Sequence, residues 1–135
     1  MVSIEKIRNF FTADRYAVFT GIQIDQVEEG FAVCSLIISE KHLNAGDTVQ
    51  GGVIFTLADF AFAVASNSYG KLTVSLNNNI SYLHATRGDT LFATAKKISS
   101  SKKVCNYEIE VTDNLGVTIA KMTATGFIKD QEISI

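Results

Sequence analysis

Apolar residues recur along the chain with two different periods, and each period predicts a kind of element. Near the N-terminus they return every three or four residues, and Ser3 stands before them as a possible helix N-cap. We therefore predict a helix over residues 3–13 that lies on the body of the fold. The side chains of this helix that would face the core are Ile4, Ile7, Phe10 and Phe11.

A second helical segment, residues 53–67, is apolar on almost every side. Gly51 and Gly52 precede it and Gly70 follows it, as is typical where a helix begins and ends. A helix without a polar face is normally surrounded by protein rather than laid on a surface. The polar exceptions, which fall on one side of the helix, are Thr56, Asp59 and Ser66.

The remaining apolar segments have the period of two that is typical of strands. Short turns join the segments after the helix, so their strands should pair antiparallel. One sheet wrapped around the apolar helix buries that helix most simply, which predicts an α+β fold with one domain over residues 1–135. The predicted strands are 18–27 and 31–38 before the helix, and 72–83, 90–99, 104–111 and 117–128 after it.

Composition and charge narrow the class of protein. The 135 residues are 47% apolar and 19% charged, which suits one packed domain rather than a disordered chain. A net charge of −2 indicates no basic surface for nucleic acid. The longest apolar-rich stretch, residues 53–65, contains Asp59 and is shorter than the roughly 20 residues of a membrane span. We expect neither nucleic acid nor a membrane as a partner.

The two cysteines, Cys34 and Cys105, share no motif with each other or with the two histidines. Their spacing matches no zinc pattern, and their apolar neighbours favour buried, reduced thiols. We expect no metal site. The N-terminal stretch carries charges instead of the apolar run of a secretory signal, so we expect a soluble protein of the cytoplasm.

Asp59 carries the clearest chemical signal. A charged, unpaired carboxylate inside an apolar helix is costly, yet no Lys or Arg lies between Lys41 and Lys71. The carboxylate must therefore face a polar cleft, a partner in another element, or another subunit. Desolvation there would raise its pKa toward the range that is useful for a general base.

The start of the same helix carries groups that can polarise a carbonyl. Gly51 and Gly52 let a ligand approach the backbone closely, and the N–H groups of a first helical turn have no partner inside the helix. Such N–H groups can hold an oxyanion. Asn44, in the loop over residues 39–50, adds a side-chain amide. These residues together indicate carbonyl activation beside a carboxylate base.

This arrangement resembles the signature of hotdog-fold acyl-CoA thioesterases, and most closely that of the phenylacetyl-CoA, or PaaI-like, branch. The family pattern is an Asn, a His six residues later, then Gly-Gly, and an Asp eight residues after the first Gly. Weaker similarities extend the resemblance over roughly residues 18–128. The positions that match the pattern at the correct spacing are Asn44, Gly51, Gly52 and Asp59.

The resemblance implies a hotdog fold, an antiparallel sheet around a long central helix, and hydrolysis of an acyl-CoA thioester to a free acid and CoA. It implies that Asp59 activates water or attacks the thioester carbon, while the Gly51 N–H polarises the carbonyl. Asn44 would position the thioester and the water, and Ser75 would orient the water. In such enzymes the Asp of one site comes from one subunit and the Asn and the Gly come from the other, which implies a homodimer, often paired into a tetramer. No metal or redox cofactor is implied, and coenzyme A enters as part of the substrate.

Further residues are candidates for substrate binding. Gln50 stands where the family has its His, and its amide could donate a hydrogen bond but cannot titrate. Gly52 lies at the same helix start, while Phe55 and Phe62 flank the turn of Asp59 and could shape the acyl pocket. Basic side chains in two turns could contact the phosphates of CoA or simply solvate those turns. They are Arg87, Lys102 and Lys103.

Three rival functions agree with this pattern to different extents. The replacement of the family His by Gln50 would suit a protein that binds acyl-CoA without hydrolysing it. A hotdog dehydratase would use a His opposite an acidic residue of another subunit, but no His directly precedes Gly51. The ligand-sensing half of a transcription regulator would need a DNA-binding module, for which 135 residues leave no room.

Overall fold

The computed structural model describes residues 2–135, so that the predicted domain is described except for Met1. Within these residues the chain forms three α-helices, a one-turn 3-10 helix and six strands. The helices are α1 (Ile4–Phe11), α2 (Arg15–Thr20), the 3-10 helix (Glu40–His42) and α3 (Gly51–Asn67). The strands are β1 (Gln23–Glu28), β2 (Phe31–Ile37), β3 (Lys71–Tyr82), β4 (Thr90–Ser100), β5 (Val104–Asp113) and β6 (Thr118–Glu132).

The six strands form one antiparallel sheet around α3, in the order β1-β2-β4-β5-β6-β3. Helix α3 packs against every one of these strands. The side chains of α3 that are completely buried are Leu57, Ala58, Ala61, Val64 and Ala65. A helix that is apolar nearly all round is thus enclosed by the sheet, which confirms the predicted α+β architecture.

Strand β3 forms one edge of the sheet and pairs only with β6. Its other edge has no partner strand within residues 2–135. Leu76 is 59% exposed and Tyr82 is 51% exposed on this strand. An open edge of 12 residues with exposed apolar side chains is a template for pairing with another strand.

The N-terminal region contains an element that the apolar pattern misses. The pattern predicts a strand over residues 18–27, but α2 occupies the start of that range and β1 only its later part. That prediction is wrong at its start. The predicted helix over residues 3–13 is present as α1, which ends at Phe11.

Local capping explains why a helix forms in this β-prone segment. The Asp14 carboxylate accepts the N–H of Ala17 at 3.1 Å and so caps the start of α2. Gly21 adopts a φ of 93°, and its N–H donates to the carbonyls of Ala17 and Val18 at the other end. Because Ala17 is also buried, these caps and the packing outweigh the strand propensity of the segment.

None of the helices within residues 2–135 has the length and apolar character needed to cross a bilayer.

Candidate active site

The first turn of α3 presents backbone donors that the chain itself does not use. The carbonyl of Gln50 accepts the N–H groups of Val53 and Ile54 at 2.9 and 3.4 Å. The N–H groups of Gly51 and Gly52 have no acceptor within residues 2–135. Because N–H groups at this end of a helix point outward along its axis, both are available to an oxyanion.

Side chains close around the two glycines. A Cβ added to Gly51 would lie 3.4 Å from the ring of Tyr82, whose hydroxyl donates to the Gly51 carbonyl at 3.2 Å. A Cβ added to Gly52 would lie 2.5 Å from Oε1 of Gln50, which is closer than real Cβ contacts. A cleft of about 280 Å³, lined also by Ile54, opens beside Gly51. The missing side chains therefore keep this stretch of backbone within reach of a ligand.

Asn44 is held by the loop that precedes α3. Its Oδ1 accepts the N–H of Gly46 at 2.8 Å, and the N–H and hydroxyl of Thr48 at 3.2 and 3.3 Å. Asp47 lies in the left-handed region, with a φ of 60°, and closes this turn. The Nδ2 group finds no acceptor in the described part of the chain. The loop thus orients the exposed Asn44 side chain and leaves its amide donors free for a ligand.

His42 anchors the same loop, a role that the sequence pattern does not indicate. The N–H of Ser39 donates to Nδ1 of the buried His42 at 2.9 Å, so the proton is on Nε2, which donates to the Thr20 carbonyl at 2.7 Å. The His42 carbonyl in turn accepts the N–H of Gln50 at 2.9 Å. One histidine therefore ties the end of α2 to the residue that precedes α3. The Gln50 side chain itself is exposed.

Asp59 lies two turns further along α3, half-buried in a second cleft of about 220 Å³. It makes no hydrogen bond or ion pair with any other residue in the range 2–135. Burial raises the pKa of Asp59 above its ordinary value, and the negative charge of Asp14 raises it further. A carboxylate of this kind accepts protons readily, as a general base must. The cleft is lined by Asp14, Tyr16, Ala17, Phe55, Thr56, Asp59, Phe60 and Ala63.

Sequence reasoning misses two members of this cleft, Asp14 and Tyr16. Both belong to the start of α2, between the predicted helix over residues 3–13 and the predicted strand over residues 18–27. The signal that could have found them is an N-capping Asp14 followed seven residues later by Gly21, the usual pair of signs for a short helix.

Gly51 and Asp59 do not meet within one chain. They are eight residues apart on α3, so their Cα atoms are separated by about 12 Å along the helix axis, at roughly 1.5 Å per residue. They also line different clefts. A thioester that accepts a hydrogen bond from Gly51 is therefore beyond hydrogen-bonding reach of Asp59 in the same chain.

Ser75 lies on the exposed edge strand, beside a bulge between Ser75 and Asn77. Its hydroxyl accepts the side-chain amide of Asn78 at 2.8 Å. The Oδ1 of Asn78 is buried and has no partner within the described residues. Ser75 lines neither of the two clefts, so one chain does not bring it to Gly51 or Asp59.

The two candidate phenylalanines lie in different surroundings. Phe55 lines the cleft of Asp59. Phe62 is buried and packs edge-on against the ring of Tyr107, with 5.4 Å between the ring centroids. Phe62 thus belongs to the core between α3 and the sheet, and it does not line the Asp59 cleft of its own chain.

The candidate basic residues lie at opposite ends of β4. Arg87 is exposed in the loop before this strand, while Lys102 and Lys103 are exposed in the hairpin after it. Lys102 lines a pocket of about 290 Å³ together with Lys71 and Lys97, and the lining of that pocket contains no acidic residue. This pocket is therefore suited to an anion.

The described residues contain no group of three or more His, Cys, Asp or Glu side chains that could hold a metal ion. Cys34 and Cys105 are both buried free thiols. Burial raises the pKa of both thiols, which disfavours the thiolate form that reacts or binds metal.

Known proteins share the part of the chain that carries these residues. The profile of the Thioesterase superfamily matches residues 46–120. Acyl-coenzyme A thioesterase PaaI of Escherichia coli K12 is 38% identical over 108 residues, which are 79% of this chain and 77% of that protein. Each of these two matches covers more than half of the chain, so neither rests on a short motif alone.

Solved structures share the fold. The structure of the E. coli PaaI protein from the phenylacetic acid degradation operon aligns with a TM-score of 0.91 at 30% identity, covering 96% of this chain and 95% of that one. A hypothetical thioesterase protein with coenzyme A from Streptococcus pneumoniae TIGR4 aligns with a TM-score of 0.85 at 25% identity, covering 93% and 98%. This chain therefore belongs to the thioesterase superfamily, as a hotdog-fold thioesterase of the PaaI-like branch.

Proposed function

We propose that this protein hydrolyses an acyl-CoA thioester to a free carboxylic acid and CoA. The observation that carries the proposal is the half-buried Asp59, which has no partner in the described chain and lies on the same helix as the unused N–H of Gly51. Family membership supports the choice of substrate, since the E. coli relative is named an acyl-coenzyme A thioesterase. The aromatic lining of the Asp59 cleft and its volume of about 220 Å³ favour an aryl or medium-chain acyl group.

In the proposed reaction the N–H of Gly51 donates to the thioester carbonyl oxygen and stabilises the negative charge that develops there. Asp59 takes a proton from a water molecule while that water attacks the carbonyl carbon. The C–S bond of the tetrahedral intermediate then breaks, and the leaving CoA thiolate takes up the proton. In the nucleophilic variant, Asp59 attacks the carbonyl carbon and the C–S bond breaks, so that CoA leaves as a thiolate and a mixed anhydride remains. Water then hydrolyses the anhydride to the free acid and Asp59, and the proton that the water supplies goes to the thiolate.

The remaining candidates hold the substrate in this proposal. The free amide of Asn44 positions the thioester and the attacking water, and Ser75 orients that water. Gln50 donates its exposed side-chain amide to the substrate in place of the family's His. Gly52 leaves room for the thioester beside the helix start, while Phe55 borders the acyl group.

We also propose that the working unit is a homodimer, because the separation of Gly51 and Asp59 requires two copies for one complete site. The open edge of β3 is the surface that we propose for pairing, strand against strand, with a second copy. Such pairing joins two sheets into one and places two α3 helices side by side. In such a dimer, Ser75 and Phe62 belong to a site only if residues of the partner subunit lie close to them. Two such dimers could pair further into a tetramer.

Coenzyme A carries several phosphate charges, and the proposal assigns them to basic side chains. Lys102 is the best placed of these residues, because Lys71 and Lys97 share its pocket without a carboxylate in the lining. Lys103 lies beside it in the hairpin, with its Nζ 5.8 Å from the centre of the Phe127 ring. Arg87 lies at the other end of β4. We therefore assign it to a different phosphate group of CoA, or to the CoA that is bound at the site of another copy.

The proposal includes no metal or redox cofactor, since water, a carboxylate and backbone donors are sufficient for thioester hydrolysis. It also includes a cytoplasmic location, where buried thiols such as Cys34 and Cys105 remain reduced.

The experiment that tests the function compares the natural protein with Asp59→Asn on a panel of aryl- and alkyl-CoA substrates, using a thiol reagent to detect CoA. The natural protein should turn over at least one of them. Asp59→Asn should reduce kcat by roughly 10²–10⁴-fold, because the amide cannot take a proton from water. Asp130→Asn, an exposed site on β6, is the charge-matched control.

Two results would contradict the proposal. Unchanged turnover in a folded Asp59→Asn variant would remove Asp59 from the mechanism. Binding of acyl-CoA by the natural protein without any turnover would instead favour the non-catalytic binder that Gln50 suggests. In that case Gln50→His should restore hydrolysis if the missing His is the cause.

A further inference from the structure

The start of α2 forms one wall of the cleft that contains Asp59. Asp14 and Tyr16 contribute to the lining from this side. The position of Asp14 is restrained, because its Oδ1 accepts the N–H of Ala17 at 3.1 Å and Ala17 is only 3% exposed. The cap therefore holds a second carboxylate at the wall of the cleft.

No positive charge in the lining offsets these two carboxylates. Apart from Asp14 and Asp59, the cleft is lined by side chains without a charge at neutral pH, one of which, Tyr16, is titratable. Arg15 follows Asp14 in sequence, but it is exposed and its guanidinium donates to the carbonyl of Ala13 at 3.2 Å. The field of Asp14 at Asp59 thus lacks a compensating cation among the groups that line the cleft.

Arg8 of α1 directs its positive charge elsewhere. Arg8 lines a neighbouring cavity of about 380 Å³ that shares Phe60 with the Asp59 cleft. Its guanidinium donates twice to the carbonyl of Ile24, at 3.1 and 2.7 Å, and pairs with Glu5 at 3.2 Å. The positive charge of Arg8 is therefore engaged by Ile24 of β1 and Glu5 of α1, and Arg8 does not line the Asp59 cleft.

A fixed negative charge at the wall of a partly desolvated cleft makes it harder to ionise the carboxyl group of Asp59, so Asp59 holds its proton more readily than it would without Asp14. We propose, on the basis of the proposed hydrolysis, that Asp14 is a positioning residue whose fixed negative charge makes Asp59 the stronger base. The direction agrees with the raised pKa of Asp59, for which the charge of Asp14 is the second cause after burial. Asp14 itself is exposed, so added salt should weaken its influence.

Capping and charge can be separated by mutation. Asn accepts the Ala17 N–H as Asp does and is an equally good N-cap, so Asp14→Asn removes the charge and keeps the start of α2. Asp14→Ser provides a second cap without a charge. Asp130→Asn removes one negative charge from an exposed position at the end of β6 and serves as the matched control.

The test measures kcat/KM against pH for the natural protein and these three variants with phenylacetyl-CoA. Removing the like charge should lower the pKa of Asp59, so the acid limb of Asp14→Asn and Asp14→Ser should lie at lower pH than that of the natural protein. Asp130→Asn should coincide with the natural protein. Added NaCl should move the natural acid limb in the same direction, and the Asp14→Asn limb less.

A readout that needs no turnover separates this inference from the proposed function. The carboxyl-carbon NMR titration of Asp59 should move to lower pH in Asp14→Asn, even if no acyl-CoA is hydrolysed. Coincident titrations of Asp59 in the natural protein and in folded Asp14→Asn would overturn the inference. An equal shift in Asp130→Asn would also overturn it, because the effect would then come from net charge alone.

Discussion

The two turns of α3 that carry the candidate site residues meet opposite physical requirements. The first turn provides backbone N–H groups beside two glycines, in a cleft that is open next to an exposed loop, and it carries no charge. The turn of Asp59 provides a single carboxylate that is half-buried among aromatic side chains. The first turn needs access and obtains it from missing side chains. The second needs partial desolvation and obtains it from large ones.

The properties of these two turns depend on different levels of structure. Donors at a helix start follow from the helix itself, because its first N–H groups always lack an internal partner. The raised pKa of Asp59 follows from what packs around it and from the charge of Asp14 at the start of α2, which lies far away in the sequence. The first property is robust to changes elsewhere in the chain, and the second is not.

The largest effect is expected for Gly51→Pro, which tests whether the first turn of α3 supplies a donor. Proline is favoured at the first position of a helix, and Gln50 already has the φ of −64° and ψ of 136° that a residue before proline requires. The helix should form as before, but one donor is lost. We expect kcat to fall roughly 10²–10³-fold, as for the loss of one oxyanion donor.

Gly51→Ala is the control for this variant. It adds a Cβ at the same distance from Tyr82 but keeps the N–H. Circular dichroism and thermal unfolding should show that both variants fold. If the Ala variant loses as much activity as the Pro variant, the Gly51 N–H is not the donor and crowding is the cause.

The link between the two turns can be tested by mixing two inactive variants. Gly51→Pro and Asp59→Asn, co-expressed with different tags, should form mixed dimers in which one of the two sites is intact. Random pairing predicts recovery of roughly a quarter of natural activity, since half of the dimers are mixed and each has one good site. Purified mixed dimers without activity would show that the site does not combine residues of two copies.

The smallest effect is expected for Tyr82→Phe. The Tyr82 hydroxyl donates to the carbonyl of Gly51, which supports the first turn from an exposed position. Its removal should lower the free energy of unfolding by about 1 kcal/mol at most, measured by chemical denaturation, and leave kcat within a few-fold of natural. A loss of turnover as large as that of Gly51→Pro would instead make the hydroxyl a direct contact to substrate.

Periodicity predicted most of the fold correctly because the pattern of buried positions in each of these elements persists along its whole length. The apolar residues of α3 could be recognised as a buried helix, and β5 alternates between buried and more exposed positions as predicted. The segment around Val18 was predicted as a strand because its side chains are β-prone. In the structure the two caps that enclose the segment outweigh this propensity and a helix forms. Capping depends on single residues, which an average over a window hides.

For a similar reason, the sequence indicated the positions of some candidate site residues better than those of others. Asn44, Gly51 and Asp59 lie close together in sequence, where their spacing can be read directly. Phe55 and Phe62 both flank Asp59 in sequence, yet one lines its cleft and the other packs on Tyr107. Helical spacing alone does not say which neighbour a side chain will find.

The chain order of residues 44–59 is enough to specify a helix start with free donors and a carboxylate two turns later, because these are properties of one contiguous segment. The surroundings of that carboxylate, in contrast, depend on distant parts of the chain. Asp14 and Tyr16 reach its cleft from more than forty residues away, and the open edge of β3 exists because β3 crosses to pair with β6. Proton affinity and strand pairing depend on distances in space, and those distances are set only when the sheet closes around α3.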